Sequence, residues 1–208
     1  MDYFEIEGKN QLFGDITVSG AKNAVLPLMA ASILNDRPLT ISNVPKLSDS
    51  ITMGNLIKEM GGEVSFEQSN ILINPKKLNT PYAPYKLVKT MRASFYVLGP
   101  LIAKFGEAKV SLPGGCAWGP RPVDFHLEGF KKLGIDISLE AGYVIAKAKK
   151  MIGNKIRFPK ISVGATGNVL MAAVLAEGKT EIHNAAVEPE IQQLCLLLNQ
   201  MGAKISGI

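Results

Sequence analysis

Three glycines, each closing the same kind of phrase, constrain the fold of this chain more than anything else in it. Lys58-Glu-Met-Gly61, Lys131-Lys-Leu-Gly134 and Asn199-Gln-Met-Gly202 each end an amphipathic run, and the glycines stand 73 and 68 residues apart. A second phrase recurs as Ser19-Gly-Ala-Lys-Asn23 and Ser162-Val-Gly-Ala-Thr-Gly-Asn168, each time opening an apolar run. Self-similarity at such a period marks one supersecondary unit used several times. A glycine just after a helical run is also the usual stop signal, because it accepts left-handed backbone angles.

Taken in order, the spacing predicts strands within residues 3–7 and 15–19, an apolar helix over 24–34, a strand at 39–42 and a helix over 48–60. A hairpin at 63–66 and 70–73 follows, then a Pro- and Tyr-bearing linker over 74–85. The pattern restarts with an apolar helix over 93–103, a strand at 108–112, a helix over 123–133 and a hairpin at 135–139 and 143–148. A third round gives a helix over 168–176, strands at 180–183 and 203–206, and a helix over 190–201. The economical reading is an α/β domain of three βαβαββ repeats, at about 22–85, 86–155 and 156–208, with the third cut short. In each copy the first helix is apolar nearly all round and the second has a polar face. Three buried central helices, wrapped by sheets and amphipathic helices, are therefore expected.

Composition narrows the class. The chain has 208 residues, 47% hydrophobic and 20% charged, as ordinary globular domains do. The two cysteines, Cys116 and Cys195, make no disulfide framework or metal motif and fit a reducing, cytoplasmic compartment. Two histidines, His126 and His183, are too few and too far apart for a metal centre. The apolar runs are too short to span a membrane, and no charged-then-apolar leader precedes residue 20. The formal charge of +5 suits anionic ligands, but no basic block argues for nucleic acid.

Chemistry concentrates in Leu112-Pro-Gly-Gly-Cys116 and Gly119-Pro-Arg-Pro-Val-Asp124. Glycines and prolines shape this loop, which carries a thiol and, five residues on, a permanent cation, Arg121. A guanidinium near a wet thiol favours the thiolate. Lys22, Arg92 and Lys160 sit just before the apolar helices, where free N–H groups welcome an anion. Arg offers phosphate a flat fork and Lys a point charge. From spacing alone a surface loop with an incidental Cys, and solvated surface cations, would look the same. Asn23 and Asp124 read equally as helix caps or ligand contacts. Trp118 reads as a loop anchor or lid contact, His126 as a packed or surface residue, and Cys195 as a core thiol among leucines.

With Met91-Arg-Ala-Ser94 added, these phrases make the chain resemble the UDP-N-acetylglucosamine enolpyruvyltransferases, also called 1-carboxyvinyltransferases, over the first half of that family's length. The resemblance implies an inside-out α/β barrel in each of two domains, and residues 1–21 packing with the second domain. It implies an enzyme that moves the enolpyruvyl group of phosphoenolpyruvate to UDP-N-acetylglucosamine in peptidoglycan synthesis, with no cofactor, no metal, no nucleic acid and no membrane. Lys22 and Asn23 would then contact phosphoenolpyruvate, Arg121 the phosphate, and Arg92 the nucleotide sugar. Arg121, Pro122, Val123, Asp124 and Phe125, with Lys160, Ile161, Ser162, Val163 and Gly164, would hold UDP-N-acetylglucosamine. Cys116 would protonate C3 of phosphoenolpyruvate, could form a covalent adduct with it, and would be the fosfomycin target.

Two positions depart from that pattern: Trp118 stands where a smaller aliphatic residue is expected, and Gly167 where an acid is common. The family's second half, with its Asp base and further arginines, has no counterpart here, so the chain alone is expected to bind weakly and not to turn over. Two alternatives remain: a 5-enolpyruvylshikimate-3-phosphate synthase-like transferase, and a non-catalytic half-domain that binds a ligand or partner. A thiol hydrolase built on Cys116 lacks a convincing base.

Overall fold

The computed structural model describes residues 3–113 and 123–207. The first repeat contains α1 (Lys22–Ala31), ending in a 3₁₀ turn at Ser32–Leu34, then β1 (Leu39–Ile41), α2 (Ser48–Glu59), β2 (Glu63–Glu67) and β3 (Asn70–Asn74). The second has β4 (Tyr82–Ala83), α3 (Tyr85–Val88), a 3₁₀ segment Arg92–Val97, α4 (Leu98–Phe105), β5 (Glu107–Ser111), α5 (Asp124–Lys132), β6 (Asp136–Glu140) and β7 (Tyr143–Lys147). The third has β8 (Lys155–Arg157), α6 (Val163–Ala173), β9 (Glu181–His183) and α7 (Pro189–Gln200).

The repeat is visible in the sheets. In the second copy the order is β4-β5-β7-β6, with β4 parallel to β5 and the hairpin antiparallel. The first copy keeps only β1-β3-β2, and the third only the parallel pair β8-β9. Helices α1, α4 and α6 form the middle: α1 packs on α2 and α7, and α6 on α4 and α5. Met29, Leu98, Leu101, Val169 and Met171 there are fully buried. Each such side chain gains roughly 1.5–3 kcal/mol on leaving water. Helices inside and sheets outside is the arrangement the repeat predicts, and it agrees with the inside-out barrel that the resemblance implies. Gly61, Gly134 and Gly202 have φ of 97°, 82° and 109°, so all three repeats stop their second helix with the same left-handed glycine.

Several expectations need correction. Among the described residues the expected 203–206 strand is absent, and no strand lies beside it to pair with. In the second copy β7 sits between β5 and β6, and the matching place between β9 and 203–206 is part of an open cleft of about 730 Å³. Instead, the Asn199 side chain takes both main-chain groups of Ile205: the Ile205 N–H donates to Oδ1 at 2.7 Å, and Nδ2 donates to the Ile205 carbonyl at 2.9 Å. Asn199→Ala is therefore expected to free residues 203–207, costing about 1 kcal/mol. Hydrogen exchange at the Ile205 amide checks this; unchanged protection in the variant would refute it.

No strand forms between Tyr3 and Ala21 either. Phe4, Ile6, Leu12, Phe13 and Ile16 are 85–96% exposed. Alternation marks them as strand-like, but a strand without a partner leaves its backbone groups unpaired. The third buried helix begins at Val163 rather than at residue 168, because Ser162 caps it. Strands β4 and β8 were unforeseen, being two and three residues long.

Candidate functional site

Lys22 and Asn23 are the first two residues of α1. The cap position is Ala21, which offers no side-chain acceptor, so Asn23 is not the cap and both side chains face solvent. Lys22 Nζ lies 3.0 Å from a carboxylate oxygen of Asp49, in the first turn of α2. Both partners are partly exposed, so the pair contributes less than about 1 kcal/mol to stability. It does hold the ammonium in place over the start of a buried helix. Asp49 went unread in the sequence, although a carboxylate in the Ser48-Asp49-Ser50 helix start has the composition of a first turn.

Arg92 opens the 3₁₀ segment and is half-buried. Asp124 opens α5 behind Val123, which occupies the cap position with no side-chain bond, so Asp124 is a first-turn acid and not a cap. Its side chain is exposed, while Phe125 packs on Phe158 with ring centroids 6.4 Å apart. Lys160 and Ile161 are exposed before α6. Ser162 caps α6, its Oγ accepting from the Ala165 N–H at 3.3 Å, which leaves Val163 and Gly164 half-buried in the first turn. Cys116, Trp118, Arg121 and Pro122 lie outside the described residues.

His126 brings three of these segments together. It is 7% exposed, stacks edge-on against Phe95 at 5.2 Å, and its Nδ1 lies 3.1 Å from Asn168 Nδ2. Burial first, and then the nearby Arg92 charge, push its pKa down from 6.5 to about 3, so the ring is neutral. The ring faces Gly164, where a β-carbon would stand 3.2 Å from Cε1 and Nε2. One imidazole thus touches the Arg92 segment, α5 and the first turn of α6. Lys22 stands apart from that contact, on α1, which packs against the 3₁₀ segment and α6. In the sequence Asn168 shows only as the opening of an apolar run, because its partners are distant. Cys195 is 3% exposed and burial pushes its thiol up, so it is a core thiol as read.

Gly167 has a structural reason. A β-carbon there would meet Tyr96 Cε1 at 2.9 Å and the ends of Ile191 and Leu194 at 3.3 Å. The Tyr96 hydroxyl is pushed well up by burial and by Glu190 and Glu188, so this corner already disfavours added negative charge. Gly167→Glu is expected to cost about 3 kcal/mol. A buried carboxyl has its pKa raised in the folded state, so the deficit should shrink at pH 4 and grow towards pH 7. Denaturant midpoints at the two pH values check this; equal deficits would contradict it.

Among the described residues, no helix is long and apolar enough to cross a membrane. In solved structures the fold recurs in the enolpyruvyl transferase NikO from Streptomyces tendae, with a TM-score of 0.79 at 20% identity, covering 96% of this chain and 47% of that one. It recurs in EPSP synthase from Acinetobacter baumannii with a TM-score of 0.69 at 19% identity, covering 93% and 45%. Closer in sequence are proteins named UDP-N-acetylglucosamine 1-carboxyvinyltransferase. That of Hydrogenovibrio crunogenus is 53% identical over 209 residues, and that of Chloroherpeton thalassium 55% identical over 211. Both alignments cover all of this chain, which spans about half the length of these relatives. Residues 6–208 match the family described as EPSP synthase (3-phosphoshikimate 1-carboxyvinyltransferase), and by that match the chain belongs to it.

Proposed function

We propose that this chain forms the first domain of a cytoplasmic UDP-N-acetylglucosamine 1-carboxyvinyltransferase of peptidoglycan synthesis. The reaction moves the enolpyruvyl group of phosphoenolpyruvate to the sugar 3′-hydroxyl and releases phosphate. The observation that carries the reading is the 53% identity to a relative of that name across the whole chain. The meeting of the Arg92–Val97 segment, α5 and the first turn of α6 at His126 supports it.

Cys116 gives a proton to C3 of phosphoenolpyruvate, and the cationic C2 is attacked by the sugar hydroxyl, forming a tetrahedral ketal. Loss of phosphate and of a C3 proton restores the double bond on the sugar. Lys22, with Asn23 and Arg121, steadies the phosphate as charge gathers on it. Arg92, Arg121, Pro122, Val123, Asp124 and Phe125, with Lys160, Ile161, Ser162, Val163 and Gly164, hold UDP-N-acetylglucosamine, Asp124 lying near the uracil. A second domain supplies the base for the sugar hydroxyl and further arginines. Residues 1–21 pack with that domain, which accounts for a solvated arm with so many apolar side chains. Residues 22–208 make the first domain, in repeats of about 22–85, 86–155 and 156–208.

The 208-residue chain should release no phosphate from phosphoenolpyruvate plus UDP-N-acetylglucosamine. Adding the second-domain half of the Hydrogenovibrio crunogenus relative should restore release, and Cys116→Ala should lower the restored rate by about 100-fold or more. Fosfomycin should add its mass to Cys116 in the mixture. Phosphate release by the chain alone, or full activity of the alanine variant, would overturn the proposal.

A further inference from the structure

The junction between the 3₁₀ segment Arg92–Val97 and α4 contains a break that another helix repairs. In a continuous α-helix the Phe95 carbonyl would accept from the Gly99 N–H. Here the amide of Asn168, from α6, stands between them: the Gly99 N–H donates to Oδ1 at 2.7 Å, and Nδ2 donates to the Phe95 carbonyl at 2.9 Å. These partners fix the amide orientation, because one can only donate and the other only accept. The second hydrogen of Nδ2 points at His126 Nδ1, 3.1 Å away. Nδ1 must therefore be the acceptor, and the ring proton sits on Nε2, the nitrogen that faces Gly164. Asn168 is fully buried and His126 nearly so.

We propose that Asn168 and His126 are a buried positioning pair: through one amide and one imidazole they fix the Arg92 segment, the Asp124–Phe125 turn and the first turn of α6 relative to one another. Neither side chain is among those that hold ligand in the reading above, on which the consequence for affinity rests. A protonated Nδ1 would set donor against donor and release the ring. Asn168→Asp keeps the acceptor for Gly99, loses the donor to Phe95, and draws a proton onto His126 Nδ1.

Nitrogen-15 NMR of the histidine rings in the 208-residue chain should show His126 with a bare Nδ1 and a protonated Nε2 between pH 5 and 8. Asn168→Asp should move the proton to Nδ1. In Asn168→Leu and His126→Gln, the amide resonances of Arg92, Phe125 and Gly164 should shift together. UDP-N-acetylglucosamine should bind these variants about tenfold more weakly. Met53→Ala, a buried change in α2, should lower the melting temperature but leave that affinity within twofold. A protonated Nδ1 in the unsubstituted chain, or shifts confined to Phe95 and Gly99, would overturn the pair, as would Asn168 variants with lowered melting temperature and unchanged affinity. Failure of the unsubstituted chain to bind UDP-N-acetylglucosamine would instead count against the proposed function, leaving the ring and amide shifts to decide the pair.

Discussion

Gly99→Ala is expected to destabilise the chain by about 3–4 kcal/mol and to lower its melting temperature by roughly 10 °C. On helix propensity alone alanine would be better than glycine by up to about 1 kcal/mol. Contact decides the sign. A β-carbon at residue 99 would stand 2.2 Å from the Asn168 carbonyl oxygen and 2.5 Å from Asn168 Oδ1. The first is backbone of a buried helix, and the second belongs to a side chain holding several hydrogen bonds. Either α4 and α6 separate, loosening the packing around Leu98 and Val169, or the Asn168 amide leaves Gly99 and Phe95 with buried, unpaired groups. Gly8→Ala, where nothing lies within 4 Å, is the control and should change stability by less than about 0.5 kcal/mol. Thermal melts of the two variants side by side check this; a Gly99→Ala melt matching that of Gly8→Ala would contradict the close packing of α4 on α6.

Acid is expected to weaken the fold well before the carboxylates matter. His126 has its pKa depressed in the folded chain to about 3, against 6.5 when exposed. Below 6.5 the unfolded chain takes up a proton that the folded chain refuses, so stability falls as pH falls and levels off only near 3. Across that window the loss is on the order of 5 kcal/mol. The carboxylates Asp36, Glu63 and Glu181 are held down by Lys104, Lys77 and Lys179 and act in the same direction, but only below their ordinary range near 4. They titrate below that range, so the interval from pH 6 to 4.5 separates His126 from them. Urea midpoints across it should fall steadily in the unsubstituted chain and stay nearly flat in His126→Gln. A flat response in the unsubstituted chain would mean the ring is solvated or already charged.

How the sequence maps onto the structure follows from the range of the forces involved. The threefold unit was legible because its signals are local: an apolar run, a polar-faced run and a glycine at φ near 100° after Met60 and Met201. The all-apolar helices were placed at the centre for the same reason. What failed depended on neighbours. Residues 203–206 have strand composition but, among the described residues, no adjacent strand, and Asn199 takes the main-chain groups of Ile205. Residues 3–19 alternate correctly but form no strand pairing among the described residues. Strand β8, Lys155–Arg157, carries one apolar residue between two cations and owes its existence to β9.

The candidate site divides the same way. Lys22, Arg92 and Lys160 are legible as candidates from their place before apolar helices. Asp49, which pairs with Lys22 across helices, and Asn168, whose partners lie 42–73 residues away in sequence, left no comparable trace. A lone asparagine in an apolar run is a signal in hindsight, because a buried amide must find partners.

If the proposed function holds, the isolated chain is already shaped around Arg92, α5 and the start of α6 to take a nucleotide sugar. Titration of the nitrogen-15-labelled 208-residue chain with UDP-N-acetylglucosamine, and separately with shikimate-3-phosphate, tests it most directly. The nucleotide sugar should move the amide resonances of Arg92, Asp124, Phe125 and Ser162 to Gly164, while shikimate-3-phosphate should leave them in place. A response to shikimate-3-phosphate alone, or nucleotide-sugar shifts confined to the cleft between β9 and residues 203–206, would contradict it.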